Sequence, residues 1–555
     1  MIKSLSKPKH ATVWFLLLSL FSIHFAQGQT NTWDGSSDNN WSTAANWSLN
    51  LVPTAAHNVV INSNATITVD AASTINSLAI SNNATVSFTP SGADRIITID
   101  NNGSSIAAGS SLSLRGSSGN GNRSMRIVFS GTSLTISIAG TLRITDVGEG
   151  SNYNATNSVT TVSGLIINED NAGTGNVGTI TSSASNLIFA SGGTYQHDLN
   201  SGAIPTATWN SGSTCNVTGW IGTTTAPSGL TQTFSNFTWN STAQTANLNL
   251  VGTLTTVNGN FTVASTGTGI LNLGGNNTGN LAIGGNFSQT AGTFRCSSGN
   301  ARIITVTGNF SLTGGTFDFS ASTTAGNTVT LNVAGNFTHS AGTLTETGST
   351  TGSGIIFNKT GIQTFTSGGT VSNVVNYTVN SGSTLQMAAN GTIISGGGSF
   401  TLSSGASLGI MSTLGITSTG TNGNIQVTGA RTFSTGANYI YNGNLAQVAG
   451  DGLPATVSNL TINNAAGVSL PVSKVITNNL SILTGSLDLS TFKHTAATLT
   501  LGGAAQATGT SYGGTGSPAT TIDPTFFTAN TGYLNVGTCG NYSLSSTAAA
   551  AVVCI

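Results

Sequence analysis

Four copies of one short motif constrain this chain more than anything else in it: Gly259-Asn260-Phe261-Thr262, Gly285-Asn286-Phe287-Ser288, Gly308-Asn309-Phe310-Ser311 and Gly335-Asn336-Phe337-Thr338. Their phenylalanines stand 26, 23 and 27 residues apart. Seven residues after the last three comes a second apolar beat, introduced by Gly-Thr, at Phe294, Phe317 and Leu344. Looser copies of the pair occur at Phe400 with Leu408, Leu460 with Val468, and Leu480 with Leu487. Near the start, Asn64-Ala65-Thr66-Ile67 returns 19 residues later as Asn83-Ala84-Thr85-Val86.

Two apolar beats separated by Gly or Asn read as two short strands and a turn, because those residues supply the positive φ that tight turns need. A unit of this size cannot bury its own apolar face, so the copies must stack. Stacking sets equivalent residues about 4.8 Å apart and lines them into ladders. The fold expected is therefore all-β, a parallel β-helix or β-solenoid of roughly 20 irregular coils, right-handed by the usual crossover rule. A string of small antiparallel sandwiches is the rival, but it calls for hairpin turns every 8–12 residues or so, closer than this repeat.

Composition agrees. Only 5% of residues are charged, Gly numbers 72 and Pro 9. Disordered chains usually carry high net charge and few β-branched residues, whereas Val, Ile, Thr and Phe recur here in short runs. Scarce proline suits laddered strands, since Pro cannot donate to a ladder.

The first residues read as an export signal. Lys3, Lys7 and Lys9 precede the apolar run from Val13 to Ala26, and Ala26-Gln27-Gly28 offers small residues for cleavage, so residues 1–28 are a signal peptide and Gln29 begins the mature chain. The run is too short to span a bilayer, and no later stretch is long enough, so no transmembrane segment is expected in the mature chain. Without the signal lysines the balance is 11 basic against 15 acidic residues, a net charge of −4. That excludes the basic footprint of nucleic-acid binding. Arg115, Arg123, Arg126 and Arg143 form the one local basic group, read as a solvated edge.

The cysteines are Cys215, Cys296, Cys539 and Cys554, with no C-x-x-C spacing and hence no zinc or redox motif. Cys215 and Cys296 fall several coils apart and are expected to be unpaired, whereas Cys539 and Cys554 are close enough in sequence for a terminal disulfide.

The remaining organisation follows from where the rhythm changes. Residues 29–58 hold Trp33, Trp41 and Trp47 and read as an N-terminal cap over an otherwise open sheet edge. Residues 59–190 are a first solenoid segment, 191–245 an irregular aromatic junction, 246–538 the main solenoid, and 539–555 a C-terminal tail. The junction gathers Tyr195, Trp209, Trp220 and Trp239 with Pro205 and Pro227. Aromatic faces stack on sugars, so these four are the candidate glycan-binding residues; the plainer reading is that they plug a misfit between two stacks.

The opening Trp33-Asp34-Gly35, Trp41, Asn46-Trp47, Val52-Pro53 pattern, the stretch from Gly192 to Trp209, the Gly-Asn-Phe repeats and Gly452 to Ile462 together resemble large secreted β-repeat proteins of Bacteroidota. The resemblance covers nearly the whole mature chain. It implies a surface-attached or released protein, often one sent out by the type IX route, and it brings no catalytic residue. Such proteins usually end in a sorting domain, and nothing like one precedes Ile555, which puts a truncated tail or another export route on the list of expectations.

Polysaccharide lyases and hydrolases also use β-helices, so the acids and histidines need inspection. Hydrolysis needs paired carboxylates roughly 5–10 Å apart. Glu169-Asp170 is the one adjacent acidic pair, and neighbours on a strand face opposite ways. The histidines of the mature chain, His57, His197, His339 and His494, are scattered, and only His197 neighbours a carboxylate, Asp198. The glycine-rich stretches lack the Asp of calcium-binding repeats. No cofactor and no metal is expected. The function expected is thus a secreted or cell-surface structural or adhesive scaffold, not an enzyme, with extracellular polysaccharide or another cell surface as partner. The alternatives are a polysaccharide-binding or polysaccharide-degrading β-helix and an ice-binding repeat protein, the last hinted at by Thr66 with Thr68 and Thr343 with Thr345.

Overall fold

The computed structural model describes residues 28–117, 123–146, 150–170, 177–277, 279–348 and 352–537; Cys539, Cys554 and the signal residues before Gly28 lie outside them. The chain is nearly all β and winds as stacked parallel coils into a solenoid of about 19 turns. Each regular coil has three strands, one more than the two-beat repeat suggests. In the middle of the rod one coil runs Phe261–Ser265, Ile270–Asn272, Leu281–Ile283, and the next begins at Phe287–Gln289. The third strand carries no recurring motif. It is written only as short alternating runs such as Arg302–Val306 and Val329–Val333, which bury every second residue.

Three parallel ladders result. The long sheet begins at Ala65–Val69, which pairs with Thr85–Pro90 on one side and meets only a bridge from Asn40 to Thr68 on the other. From there it runs coil by coil to Lys493–Leu501 and Tyr533–Val536. In register along it stand Phe237, Phe261, Phe287, Phe310, Phe337 and Phe365, all buried. Phe310 and Phe337 lie 4.7 Å apart at 4°, Phe337 and Phe365 5.2 Å apart at 4°. The second beat forms the flanking ladder Leu248, Leu271, Phe294, Phe317, Leu344, Val371, whose rings meet the first edge-on, as Phe317 meets Phe310 at 5.2 Å and 82°. Offset-stacked and edge-to-face pairs are the favoured aromatic geometries. Burying each such ring is worth about 2–3 kcal/mol.

The Gly-Asn-Phe motif is explained position by position. Phe fills the core. Asn fills a corner where the ladder would otherwise break: the backbone N–H of Asn260, Asn286, Asn309 and Asn336 each donates to the side-chain oxygen of the Asn one coil earlier, at 2.8–2.9 Å. The ladder starts one coil earlier than the motif, at Asn236, and ends on the N–H of Thr364. Gly allows the corners to approach closely. A Cβ at Gly335 would lie 2.2 Å from the carbonyl oxygen of Gly308, and one at Gly308 2.6 Å from that of Gly285.

Both ends of the described stack are covered. Trp41 rests edge-on against Phe88 of the first coils at 5.7 Å, and Trp47 lies between Trp41 and Trp33 at 4.9 and 5.0 Å. At the other end Thr510–Gly513 pairs antiparallel with Tyr533–Val536, so the last parallel strand does not present a free edge. The early Asn-Ala-Thr repeat does not stack as the sequence aligns it. Ala65, not Ile67, pairs with Val86, and Ile67 pairs with Phe88; a two-residue slip keeps the same side chains inside.

Candidate functional site

The first flank is broken at the aromatic junction. Its ladder runs Ser73–Ile75, Arg95–Ile99, Met125–Phe129, Asn152–Asn154, Thr179–Thr181, then has no strand until Leu248–Asn249. Across the gap the chain makes only single bridges, Ala203 to Ser228 and Thr225 to Asn249. Pro205 and Pro227 sit in these two coils, where a residue without an N–H cannot extend a ladder. The long sheet carries on through the junction, where Val217 pairs with Trp239, whereas the other flank, the ladder that includes Leu187–Phe189 and Thr208–Trp209, stops at Trp209 and resumes only with the bridge from Phe234 to Val257.

All four candidate aromatics point inward. Tyr195, Trp220 and Trp239 are fully buried and Trp209 is 8% exposed, so no ring face is left for a sugar. Trp209 is sandwiched by Phe189 at 4.4 Å and Phe234 at 5.2 Å, and its Nε1 donates to Gln232. Trp220 lies between His197 and Trp239, and the Nε1 groups of Trp220 and Trp239 donate to the Thr223 carbonyl and to Gln244, both at 2.8 Å. The large rings replace volume that the missing flank strands would have supplied.

His197 shares this interior. Its Nδ1 accepts from the Tyr195 hydroxyl at 3.0 Å, and its Nε2–H donates to the carbonyl of Ser201 at 3.0 Å. Burial presses its pKa down to about 4 and raises that of Tyr195, so the imidazole is neutral with the proton on Nε2. Asp198 points the other way and accepts from Thr218. The other histidines also hold turns. Nδ1 of His57 accepts from the Thr54 N–H, Nδ1 of His494 from the Lys474 N–H, and Nε2 of His339 donates to the Gly342 carbonyl.

The acids are similarly engaged. Glu169 accepts from Arg143 at 2.8 Å and Thr145 at 2.7 Å, and buried Asp318 accepts from Arg295 at 2.8 Å and from Thr347. The four early arginines do not form one patch: Arg115 and Arg143 stand on the long sheet, Arg126 on the first flank. Among the described residues no group of three or more His, Cys, Asp or Glu is placed to hold a metal ion. No helix among them is long and apolar enough to cross a membrane. Cys215 and Cys296 are free, buried thiols, and burial pushes both pKa values up.

Of the threonine pairs, Thr343 stands in an outward file with Thr293, Thr316 and Thr370, but Thr345 is buried, so that face carries one hydroxyl file rather than two. Thr68 is half covered where Asn40 bridges to it. The feature that sequence reading missed is the opening in the broken flank. Its signal in the sequence is Pro205 and Pro227, which cannot donate to a ladder. Compared with family models, curated proteins and solved structures, the chain matches none.

Proposed function

We propose that this chain is an exported structural rod, surface-displayed or released, that presents its sides to an extracellular partner and carries out no chemistry of its own. The observation that carries the proposal is one core continuing through about 19 turns, covered at both described ends. At about 4.8 Å per coil that is a rod roughly 90 Å long. From Phe237 to Phe365, phenylalanine ladders and corner asparagines tie each coil to the next, an arrangement suited to stiffness and resistance to proteolysis. The ionisable side chains described above hold corners and turns, which supports a structural role for them. Lys3, Lys7, Lys9 and the apolar run behind them support export, and the resemblance to large secreted Bacteroidota proteins supports a surface or released location.

Two measurements test this. Fractionation and N-terminal sequencing should recover the chain outside the cytoplasm beginning at Gln29; an intracellular chain still beginning at Met1 overturns the export reading. Purified mature protein should release no reducing ends or unsaturated sugars from a broad polysaccharide panel. Reproducible turnover that disappears when one acid, for example Asp198 or Glu169, is replaced by its amide overturns the scaffold reading.

A further inference from the structure

Where the first flank breaks, the edge of the strand Thr179–Thr181 faces a following coil that forms only the single bridge at Ala203. In a parallel ladder alternate residues turn their backbone groups to opposite neighbours. The Thr179 N–H donates to Ser151 at 2.8 Å and the Thr181 carbonyl accepts from Ala155 at 2.9 Å, so both point to the preceding coil. The N–H and C=O of Ile180 therefore point to the following one. Ala203, on the following coil, lines the same cleft. The bonds from Ile204 to Ser228 at 3.0 Å and from Ser228 to Gly202 at 3.3 Å tie its neighbours to the coil beyond, which turns the groups of Ala203 back toward the preceding coil. Neither residue's backbone groups bond across the gap to another described residue.

Between them lies an open cleft of about 510 Å³. The hydroxyls of Ser201, Thr225 and Ser228 line it without bonding to another described residue, the side chains of Ile180, Ala203 and Ala226 supply apolar patches, and no charged side chain lines it. A second polar depression of about 490 Å³, with Ser158 and Ser183 in its wall, involves the same coil just beyond Thr181.

We propose that this cleft binds a neutral saccharide. An uncharged wall gives no gain to an ionic ligand, which would lose hydration without gaining an opposite charge. Backbone N–H and C=O groups side by side with free hydroxyls call for a ligand rich in groups that both donate and accept, which sugar hydroxyls do. The small apolar patches suit the C–H faces of a pyranose. No aromatic platform is present, since the four junction rings are buried, so the affinity is modest, with Kd about 0.1–5 mM. The site goes beyond the scaffold role and supplies the contact through which a rod would attach.

The test is saturation-transfer NMR on purified mature protein with cello-, xylo-, manno- and maltohexaose, a trigalacturonate control and a Ser/Thr-rich decapeptide. At least one neutral hexasaccharide should bind and the trigalacturonate should not. Ala203→Trp, at an exposed position, should fill the cleft and abolish the signal while circular dichroism and melting stay as in the wild type. Thr225→Val should weaken binding about 2- to 10-fold through the lost hydroxyl, and it serves if the tryptophan variant does not fold. The proposal is overturned if no hexasaccharide binds up to 5 mM or so, if the decapeptide binds instead, or if both variants bind as the wild type does. None of these outcomes bears on where the protein is exported or on its rod architecture.

Discussion

Phe310 is the place to test whether the phenylalanine ladder holds the rod together. It is fully buried between Phe287 at 5.1 Å and Phe337 at 4.7 Å, with Phe317 against its edge at 5.2 Å. Replacing a buried Phe by Ala costs about 3–5 kcal/mol, depending on how far the surroundings collapse. Here they cannot collapse far, because Phe287 and Phe337 are fixed by their own backbone pairings to the strand of Phe310. The loss should therefore fall at the upper end, about 4–5 kcal/mol, including two stacked contacts worth about 0.5–1.5 kcal/mol each. Phe310→Leu should cost less, about 1–2 kcal/mol. Ser311→Ala, one residue along on the outer side, should stay within about 0.5 kcal/mol. Because each coil contacts only its neighbours, the damage should be local. Native-state hydrogen exchange should quicken for amides near Phe287, Phe310 and Phe337 and stay unchanged in the coils of Val86 and Leu112. A loss under about 1 kcal/mol for Phe310→Ala, or exchange that quickens equally along the rod, would falsify the reasoning.

Other outcomes follow from the corners and the buried groups. Gly308→Ala should lower the urea midpoint more than Asn286→Ala, because the new Cβ would meet the Gly285 carbonyl at 2.6 Å, while the asparagine loses one bond at a partly hydrated corner, worth about 0.5–1.5 kcal/mol. The unfolded chain protonates His197 near its ordinary 6.5 and the folded chain only near 4, so stability should fall with pH through that window, by about 3 kcal/mol in all, and level off below it. The slope should be shallower in His197→Gln, with urea titrations at pH 7, 5.5 and 4 comparing the two; equal slopes rule out His197 as the source. Cys215 and Cys296 should resist a maleimide in the native protein and react only once urea unfolds it; fast native labelling of either contradicts its burial.

Much of the fold was legible in Gly-Asn-Phe because each of its residues does a different physical job, and together they leave a mark that composition cannot hide. Phe237 and Phe365 belong to the same ladder without the motif's signature, since they follow Ser235-Asn236 and Gln363-Thr364 and lack the glycine that makes the motif visible. The third strand of each coil was equally silent: Arg302–Val306 and Val329–Val333 share only alternation, with no common residue to align. At the junction, sequence left two directions open for the aromatic rings, outward to a sugar or inward to fill a misfit. A tryptophan reads the same whether it plugs a core or meets solvent, and only the pairing of Val217 with Trp239 and the sandwich around Trp209 place these rings inside. Cys539 and Cys554 lie outside the described residues.

Along the Gly-Asn-Phe corner, Asn260, Asn286 and Asn309 each bond in the same way to the coil before and the coil after. A unit with identical connections above and below can be copied or excised without rewriting its neighbours. An in-frame duplication of 286–308 would add one step to the stack and leave both covered ends as they are, lengthening the rod by about 4.8 Å. Reach is then a heritable quantity that changes in whole steps, and lineages could alter how far such a rod extends while the chemistry of its corners stays the same.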